Sequence, residues 1–281
     1  MRLLSAEGIG HGYRSGGFWS RRPLQTVLQG VDFHIDEGES VGLLGNSGSG
    51  KSTLARLLLG LERPITGRVS FRNEVLSELR GEALRMFQRR VQLVFQDAPS
   101  AFNPRHSIGW SLSEPLRHLM GLSRPDCLRR VAQLLEQVGL AASIADRLPG
   151  QLSGGQLQRV GIARALASNP SLIVLDEALS NLDRVLQVQI LDMLSEIRET
   201  QGTAFLLITH DLSLVQRLCH RVAVLDQGRL AEECKVTTGL RFEHPAGVAL
   251  QKAILPARPV RRAPAVFKVS QPAASDCGVS G

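Results

Sequence analysis

Aromatic residues make up only 4% of this 281-residue chain, too few for the stacked platforms on which single-stranded nucleic acids bind. Cysteine is equally sparse. Cys127, Cys219, Cys234 and Cys277 stand far apart and form no C-x-x-C pair, so neither a disulfide framework nor a zinc site is expected, and the thiols are read as reduced. No apolar run approaches the roughly 20 residues needed to cross a bilayer. The start, Met1-Arg2-Leu3-Leu4-Ser5-Ala6-Glu7, turns acidic too early for a signal peptide, and the chain is expected to stay in the compartment where it is made. There is no internal repeat and no long basic stripe. The net charge of +7 comes with isolated arginine pairs at 21–22, 89–90, 129–130 and 261–262, so no nucleic-acid partner is expected. A positive balance also suits work against anionic lipid head groups.

The residues present are those of a folded domain: 43% are hydrophobic and 21% charged, and the length fits one large α/β domain with an appendage or two small domains. One stretch organises the rest. Gly45-Asn46-Ser47-Gly48-Ser49-Gly50-Lys51-Ser52 matches the phosphate-binding template G-x-x-x-x-G-K-[ST] at every fixed position. Ser40 to Leu44 before it reads as a short buried strand. Leu54, Leu57, Leu58 and Leu61 after it fall at helical spacing. Glycines let consecutive backbone N–H groups point into one concavity at a helix N-terminus, where anions are favoured. Lys51 adds charge for the β- and γ-phosphates, and the Ser52 hydroxyl is a ligand for Mg²⁺.

Several strand ends deliver polar residues to the same kind of position. Val91 to Phe95 reads as a strand followed by Gln96. Leu172 to Leu175 runs into Asp176-Glu177, and adjacent carboxylates at a strand edge are costly without a task. Asp176 fits a Mg²⁺-holding role, and Glu177 can polarise a water. Ala204 to Thr209 delivers His210. Residues from about 97 to 160 read as mostly helical, with a helix capped by Asp126, carrying Leu128, Val131, Leu135 and Val138 on one face and stopped by Gly139. Gln151 to Gln156 interrupts that pattern, leaving Ser153, Gly154 and Gly155 at a second helix start with free N–H groups. Leu182, Leu186, Ile190, Met193, Leu194 and Ile197 form another helical stripe. Val27 to Ile35 reads as a half-exposed strand, 15–26 as a loop, Val69 to Phe71 as an antiparallel excursion and 222–228 as a last hairpin. After Cys234 the apolar pattern weakens, and 256–281, rich in Pro, Ala, Arg and Ser, is expected to be partly disordered.

In order and spacing these pieces resemble the nucleotide-binding subunits of ATP-binding-cassette (ABC) transporters, over nearly the whole chain. Leu152-Ser153-Gly154-Gly155-Gln156 is similar to that family's L-S-G-G-Q signature. The resemblance implies a P-loop NTPase cassette of the α/β class: a RecA-like core with an antiparallel β subdomain and an inserted helical subdomain. The cassette would span 1–235, its helical part about 97–160, with 236–281 as a C-terminal extension. ATP and Mg²⁺ are the implied cofactors. Gly45, Asn46, Ser47, Gly48, Ser49, Gly50, Lys51, Ser52 and Thr53 would bind nucleotide, with Gln96 of the Q-loop, Ser153, Gly154, Gly155 and Gln156 of the signature, and Asp183 of the D-loop. Glu177, His210 and Lys51 would be catalytic, with Glu177 as base. Ser52, Gln96 and Asp176 would hold Mg²⁺. Tyr13 would stack on adenine, with Phe18 or Trp19 as alternatives.

Ser100-Ala101-Phe102-Asn103-Pro104-Arg105 is similar to the S-x-x-N-P-R of the oligopeptide/dipeptide/nickel importer branch. Glu177-Ala178-Leu179-Ser180-Asn181-Leu182-Asp183 departs from the commoner E-P-T-S-A-L-D as the nickel-import members do, and the tail 253–262 looks like theirs. His244-Pro245 continues as Ala246-Gly247 where peptide importers carry H-P-Y-T. The implied assembly is a second, non-identical ATPase subunit, two permease subunits and an extracytoplasmic binding protein, at the cytoplasmic face of the inner membrane. Nickel is the implied cargo, with cobalt, a metal chelate or a peptide left open. Soluble ABC ATPases of repair or translation carry a long coiled coil or a second cassette, neither of which is here, and P-loop kinases and GTPases lack the signature.

Overall fold

A computed structural model describes residues 1–14, 24–97, 99–180, 182–237 and 240–252. Strands β1 (Arg2–Arg14) and β2 (Leu24–Asp36) pair antiparallel, and β1 also pairs with β4 (Thr66–Phe71), which pairs with the short β5 (Glu74–Val75). The second sheet has six strands in the order β10-β9-β3-β8-β7-β6. In it β3 (Ser40–Leu44), β6 (Val91–Val94), β7 (Leu172–Asp176), β8 (Ala204–Ile208) and β9 (Arg221–Asp226) run parallel, and β10 (Arg229–Lys235) closes the edge as an antiparallel hairpin. Gln227 and Gly228 both take positive φ in that hairpin's two-residue turn, which matches the twist of the flanking strands.

The parallel strands are apolar at almost every position because both their faces are covered. Alternate residues go to opposite sides, the period of two of an extended chain. Val41, Leu43, Leu172, Val174, Leu206 and Ile208 face the antiparallel sheet and helix α1 (Lys51–Leu58). Leu44, Ile173, Leu175, Phe205 and Leu207 face the layer of remaining helices. That layer holds α3 (Ile108–His118), α4 (Arg124–Gln137), α5 (Gly154–Leu166), α6 (Arg184–Gln201) and α7 (Leu212–Leu218), while α2 (Gly81–Arg90) leads into β6.

The expected 97–160 segment contains α3, α4 and the start of α5, built around Ile108, Leu112, Leu116, Val131, Leu134 and Leu135. Its local reading needs correction. Ser123, not Asp126, is the N-cap of α4, since its side chain accepts from the Asp126 backbone N–H. Leu128 points outward, 64% exposed, and Cys127 and Leu134 take inward places instead. The cap lies three residues before the expected one, while Val131, Leu135 and Val138 are buried as the stripe predicts. Leu61 likewise leaves the α1 stripe: the helix ends at Leu58, and Leu61 is 63% exposed. Leu24 to Thr26 belong to β2 rather than to a loop. Beyond β10, Leu240, Phe242 and Leu250 are buried against the helical layer, and α8 (Pro245–Lys252) packs Gly247 against Phe242.

Candidate active site

Strand register brings the predicted residues to one rim. Leu43 pairs with Ile208, Ile208 with Asp176, and Leu175 with Val94. Two residues beyond these partners lie Gly45, His210, Glu177 and Gln96. The C-terminal rim of the parallel sheet is therefore where the glycine loop, both acids, the glutamine and the histidine leave the core, the usual ligand edge of open α/β sheets.

The loop closes tightly. Gly45, Gly48 and Gly50 have φ of 159°, 79° and 107°. A Cβ on Gly45 would run into the Leu225 carbonyl and Ser49 Oγ, and one on Gly50 into Leu28 Cδ2 at 2.7 Å. Lys51 is buried, and its Nζ donates to the Gly45 carbonyl at 2.8 Å and the Asn46 carbonyl at 2.9 Å. The ammonium thus ties the loop to the first turn of α1. Burial lowers the Lys51 pKa, and the nearby Glu177 and Asp176 carboxylates oppose that shift. Replacing Lys51 by Ala removes the tie and the phosphate charge together. ATP affinity is expected to fall about 10- to 100-fold, measured by calorimetric titration, and parental affinity would show that the cradle is misplaced.

Asp176 has one buried carboxylate oxygen, Oδ1, with no hydrogen-bond partner. Burial first, then Glu177, raises its pKa above the ordinary 3.8, offset in part by a hydrogen bond from Ser52 and by Lys51. An orphaned carboxylate oxygen beside a serine hydroxyl is a hard-oxygen donor pair that fits Mg²⁺. The folded state prefers the protonated acid, so the ionised form weakens the fold, and that cost grows as pH rises from 3.8 through the raised value. Asp176→Asn should accordingly raise the melting temperature of the nucleotide-free chain at neutral pH, by about 2 °C per kcal/mol relieved, read by scanning fluorimetry. A drop would mean that the carboxylate is already compensated.

Glu177 holds a left-handed φ of 47°, uncommon for a residue with a side chain. Its N–H donates to the Ile208 carbonyl at 2.9 Å, and the Glu177 carbonyl accepts from the Ser180 hydroxyl at 2.8 Å. His210 is exposed at the end of β8. Asp183 N-caps α6 by accepting from the Leu186 N–H at 2.9 Å, so its carboxylate is engaged by its own helix. Asp211 does the same for α7, and Arg184 Nη1 lies 3.1 Å from Asp211 Oδ2. This bridge joins the D-loop helix to the segment carrying His210. No motif announced Arg184 or Asp211.

Tyr13 sits near the end of β1, 39% exposed, and its hydroxyl reaches Glu62 Oε2 at 2.7 Å and Thr53 Oγ1 at 3.5 Å. The hydroxyl end of Tyr13 therefore lies between the first turn of α1 and the turn that follows that helix. Phe18 and Trp19 fall outside the described residues.

The signature lies elsewhere. Ser153 N-caps α5 in a reciprocal box with Gln156: Gln156 N–H donates to Ser153 Oγ at 3.3 Å, and Ser153 N–H to Gln156 Oε1 at 3.0 Å. Helix α5 packs on β6, α3 and α4. With β8 and β7 between β3 and β6, those two strands lie about 14 Å apart at ordinary strand spacing, and the signature helix is on the β6 side. Among the described residues, no hydrogen bond links 153–156 to 45–53. The two glycines differ. A Cβ on Gly155 would collide with Leu186, whereas one on Gly154 would meet nothing within 4 Å. Gly155 is small for packing in this chain, and Gly154 faces open space.

The segment after Gln96 is tied to α5. Phe102 is buried, Arg164 lies 4.7 Å from its ring centroid, and Arg164 Nη1 donates to the Ala101 carbonyl at 2.7 Å. Asn103 Oδ1 accepts from Arg105 N–H at 3.0 Å, a local turn. The S-x-x-N-P-R run thus fixes how the Q-loop enters the helical part.

Residues 28–180 match the ABC transporter family model. The chain belongs to that family and is its ATP-hydrolysing cassette. It is 60% identical over 262 residues to the nickel import ATP-binding protein NikE of Pseudomonas putida, covering 93% of this chain and 96% of that protein. It is 54% identical to NikE of Rhodospirillum rubrum, over 92% and 93%. A dimeric ATP-binding cassette solved in a post-hydrolysis state with ADP and Pi superposes with a TM-score of 0.75 at 29% identity, covering 84% of this chain and all of that one.

Proposed function

We propose that this chain is an ATPase subunit of a nickel importer, working as half of a pair of cassettes at the membrane. One observation carries the paired arrangement: the signature helix start is displaced from its own phosphate loop and presents an unobstructed Gly154. A helix N-terminus attracts phosphate, and a second cassette is the surface that can bring one to it. Resemblance to the NikE proteins supports nickel as the cargo, a non-identical sister ATPase, two permeases and an extracytoplasmic binding protein. Among the described residues no helix is long and apolar enough to cross a membrane, so the permeases would supply the spans and this chain would attach peripherally at the cytoplasmic face.

In the proposed cycle, residues 45–53 wrap the ATP phosphates with backbone N–H groups. Lys51 exchanges its two carbonyl partners for β- and γ-phosphate oxygens. Ser52, Gln96 and Asp176 would hold Mg²⁺, which would supply positive charge against the phosphates. Tyr13 stacks on adenine, and Ser153, Gly154 and Gly155 of the sister subunit close over the γ-phosphate. Glu177 takes a proton from the attacking water as its oxygen bonds to Pγ and the bond to the ADP oxygen breaks. His210 contacts the γ-phosphate. ATP holds the two cassettes together and its hydrolysis releases them, a movement passed through Gln96 and the segment tied by Arg164 to the permeases.

Nickel uptake in a strain lacking this chain tests the cargo. Restoration by the parent and not by Lys51→Ala is expected, and restored peptide uptake without nickel uptake would reassign it.

A further inference from the structure

Glu62 lies outside every motif the sequence carries. Glu62 follows α1 in a turn folded back on that helix: the Leu61 and Glu62 N–H groups both donate to the Arg56 carbonyl, at 2.9 and 3.4 Å. Its carboxylate faces three side chains. Oε2 accepts from the Tyr13 hydroxyl at 2.7 Å and lies 3.1 Å from His11 Nε2, and Oε1 lies 3.6 Å from Arg56 Nη1. The His11 ring, largely buried, stands edge-on to Tyr13, with centroids 5.1 Å apart and an interplanar angle of 84°. The tyrosine is thus held at its hydroxyl by a carboxylate and flanked on one side by an imidazole. A tyrosine near a strand end would otherwise turn about χ1 and χ2, and ordering it on binding would subtract from affinity. Charge-assisted hydrogen bonds are the stronger kind, and this one links the end of β1 to the turn after the phosphate-loop helix.

We infer that Glu62 is a positioning residue for nucleotide: with His11 it fixes the Tyr13 ring beside Thr53, so that the adenine platform and the phosphate cradle are presented as one preformed surface. The inference rests on Tyr13 being that platform. It has a consequence that a purely structural carboxylate would lack. Losing Glu62 should weaken a ligand that has a base and spare one that has only phosphates.

The test is calorimetric titration of the full chain with ATP and with inorganic triphosphate, alongside ATP hydrolysis by the assembled transporter. Glu62→Ala should weaken ATP binding about fivefold, leave triphosphate affinity unchanged, and raise KM with kcat within about twofold. Glu62→Gln, whose amide oxygen still accepts from Tyr13, should restore most of the ATP affinity. Tyr13→Phe keeps the ring and removes the hydroxyl, so it should reproduce the Glu62→Ala loss if Glu62→Ala itself does not fold. Equal weakening of ATP and triphosphate, or unchanged ATP affinity in both Glu62→Ala and Tyr13→Phe, overturns the inference. Tyr13→Ala separates the two levels. If it leaves ATP affinity at the parental value, Tyr13 is not the platform and the inference falls with that reading. If it weakens ATP alone while Glu62→Ala does not, only the positioning role fails.

Discussion

Glu177→Gln is expected to lower ATP turnover by the assembled transporter about a thousandfold while ATP still binds, the range over which a positioned general base acts. The substitution is isosteric and leaves the backbone untouched. That backbone is constrained: φ is 47°, the N–H is bonded to Ile208, and the carbonyl accepts from Ser180. Such a conformation costs on the order of 1 kcal/mol or more and persists only where surroundings enforce it. Here it turns the residue after Asp176 out of the strand's alternation, so that two adjacent acids need not face opposite sides of the sheet. Glutamine keeps the shape and loses the proton acceptor. Phosphate release from the reconstituted complex, with nucleotide binding measured in parallel, is the readout. Parental turnover would remove Glu177 from the role of base, and loss of binding as well would indicate a structural defect.

A second large effect is expected from Gly154→Asp. In the isolated chain the added side chain enters open space, and an acid in the first turn of α5 favours the helix dipole. Melting temperature and ATP affinity of the free subunit should therefore stay at the parental values. In the complex the same carboxylate would face the γ-phosphate bound by the sister subunit. Like charges about 4 Å apart at an effective dielectric of 20 repel by about 4 kcal/mol, so turnover should fall by two to three orders of magnitude at sites closed by this chain. Gly155→Ala makes the contrast, because its methyl group meets Leu186 of the same molecule and its cost appears as lost stability. Hydrolysis at the parental rate in Gly154→Asp would refute the sandwich of two cassettes.

The rim of the active site was legible because each functional residue stands at a recognisable punctuation mark. Glycines mark the phosphate loop, an apolar run ends in Asp176-Glu177, and another ends before His210. Helix starts were less legible. Asp126 looked like a cap, yet Ser123 three residues earlier takes that place, since either residue can satisfy the free N–H groups and only packing of Cys127 and Leu134 selects the register. Asp183, placed at the nucleotide by resemblance, also caps its own helix by accepting from the Leu186 N–H. Glu62 and His11 had no signal at all, because a lone acid after a helix and a histidine in a strand gain meaning only when β1 is laid across α1.

By itself the sequence determined the chemistry and the class: the phosphate loop, the paired acids and the signature are local strings whose backbone requirements are met by residue type. Tertiary structure alone decided which groups share a site. Strand order puts β6, on which the signature helix packs, three strands from β3 and its phosphate loop, and leaves Gly154 open while the space beside Gly155 is filled by Leu186. Distances across a sheet depend on pairing between segments far apart in the chain, and no local pattern encodes them.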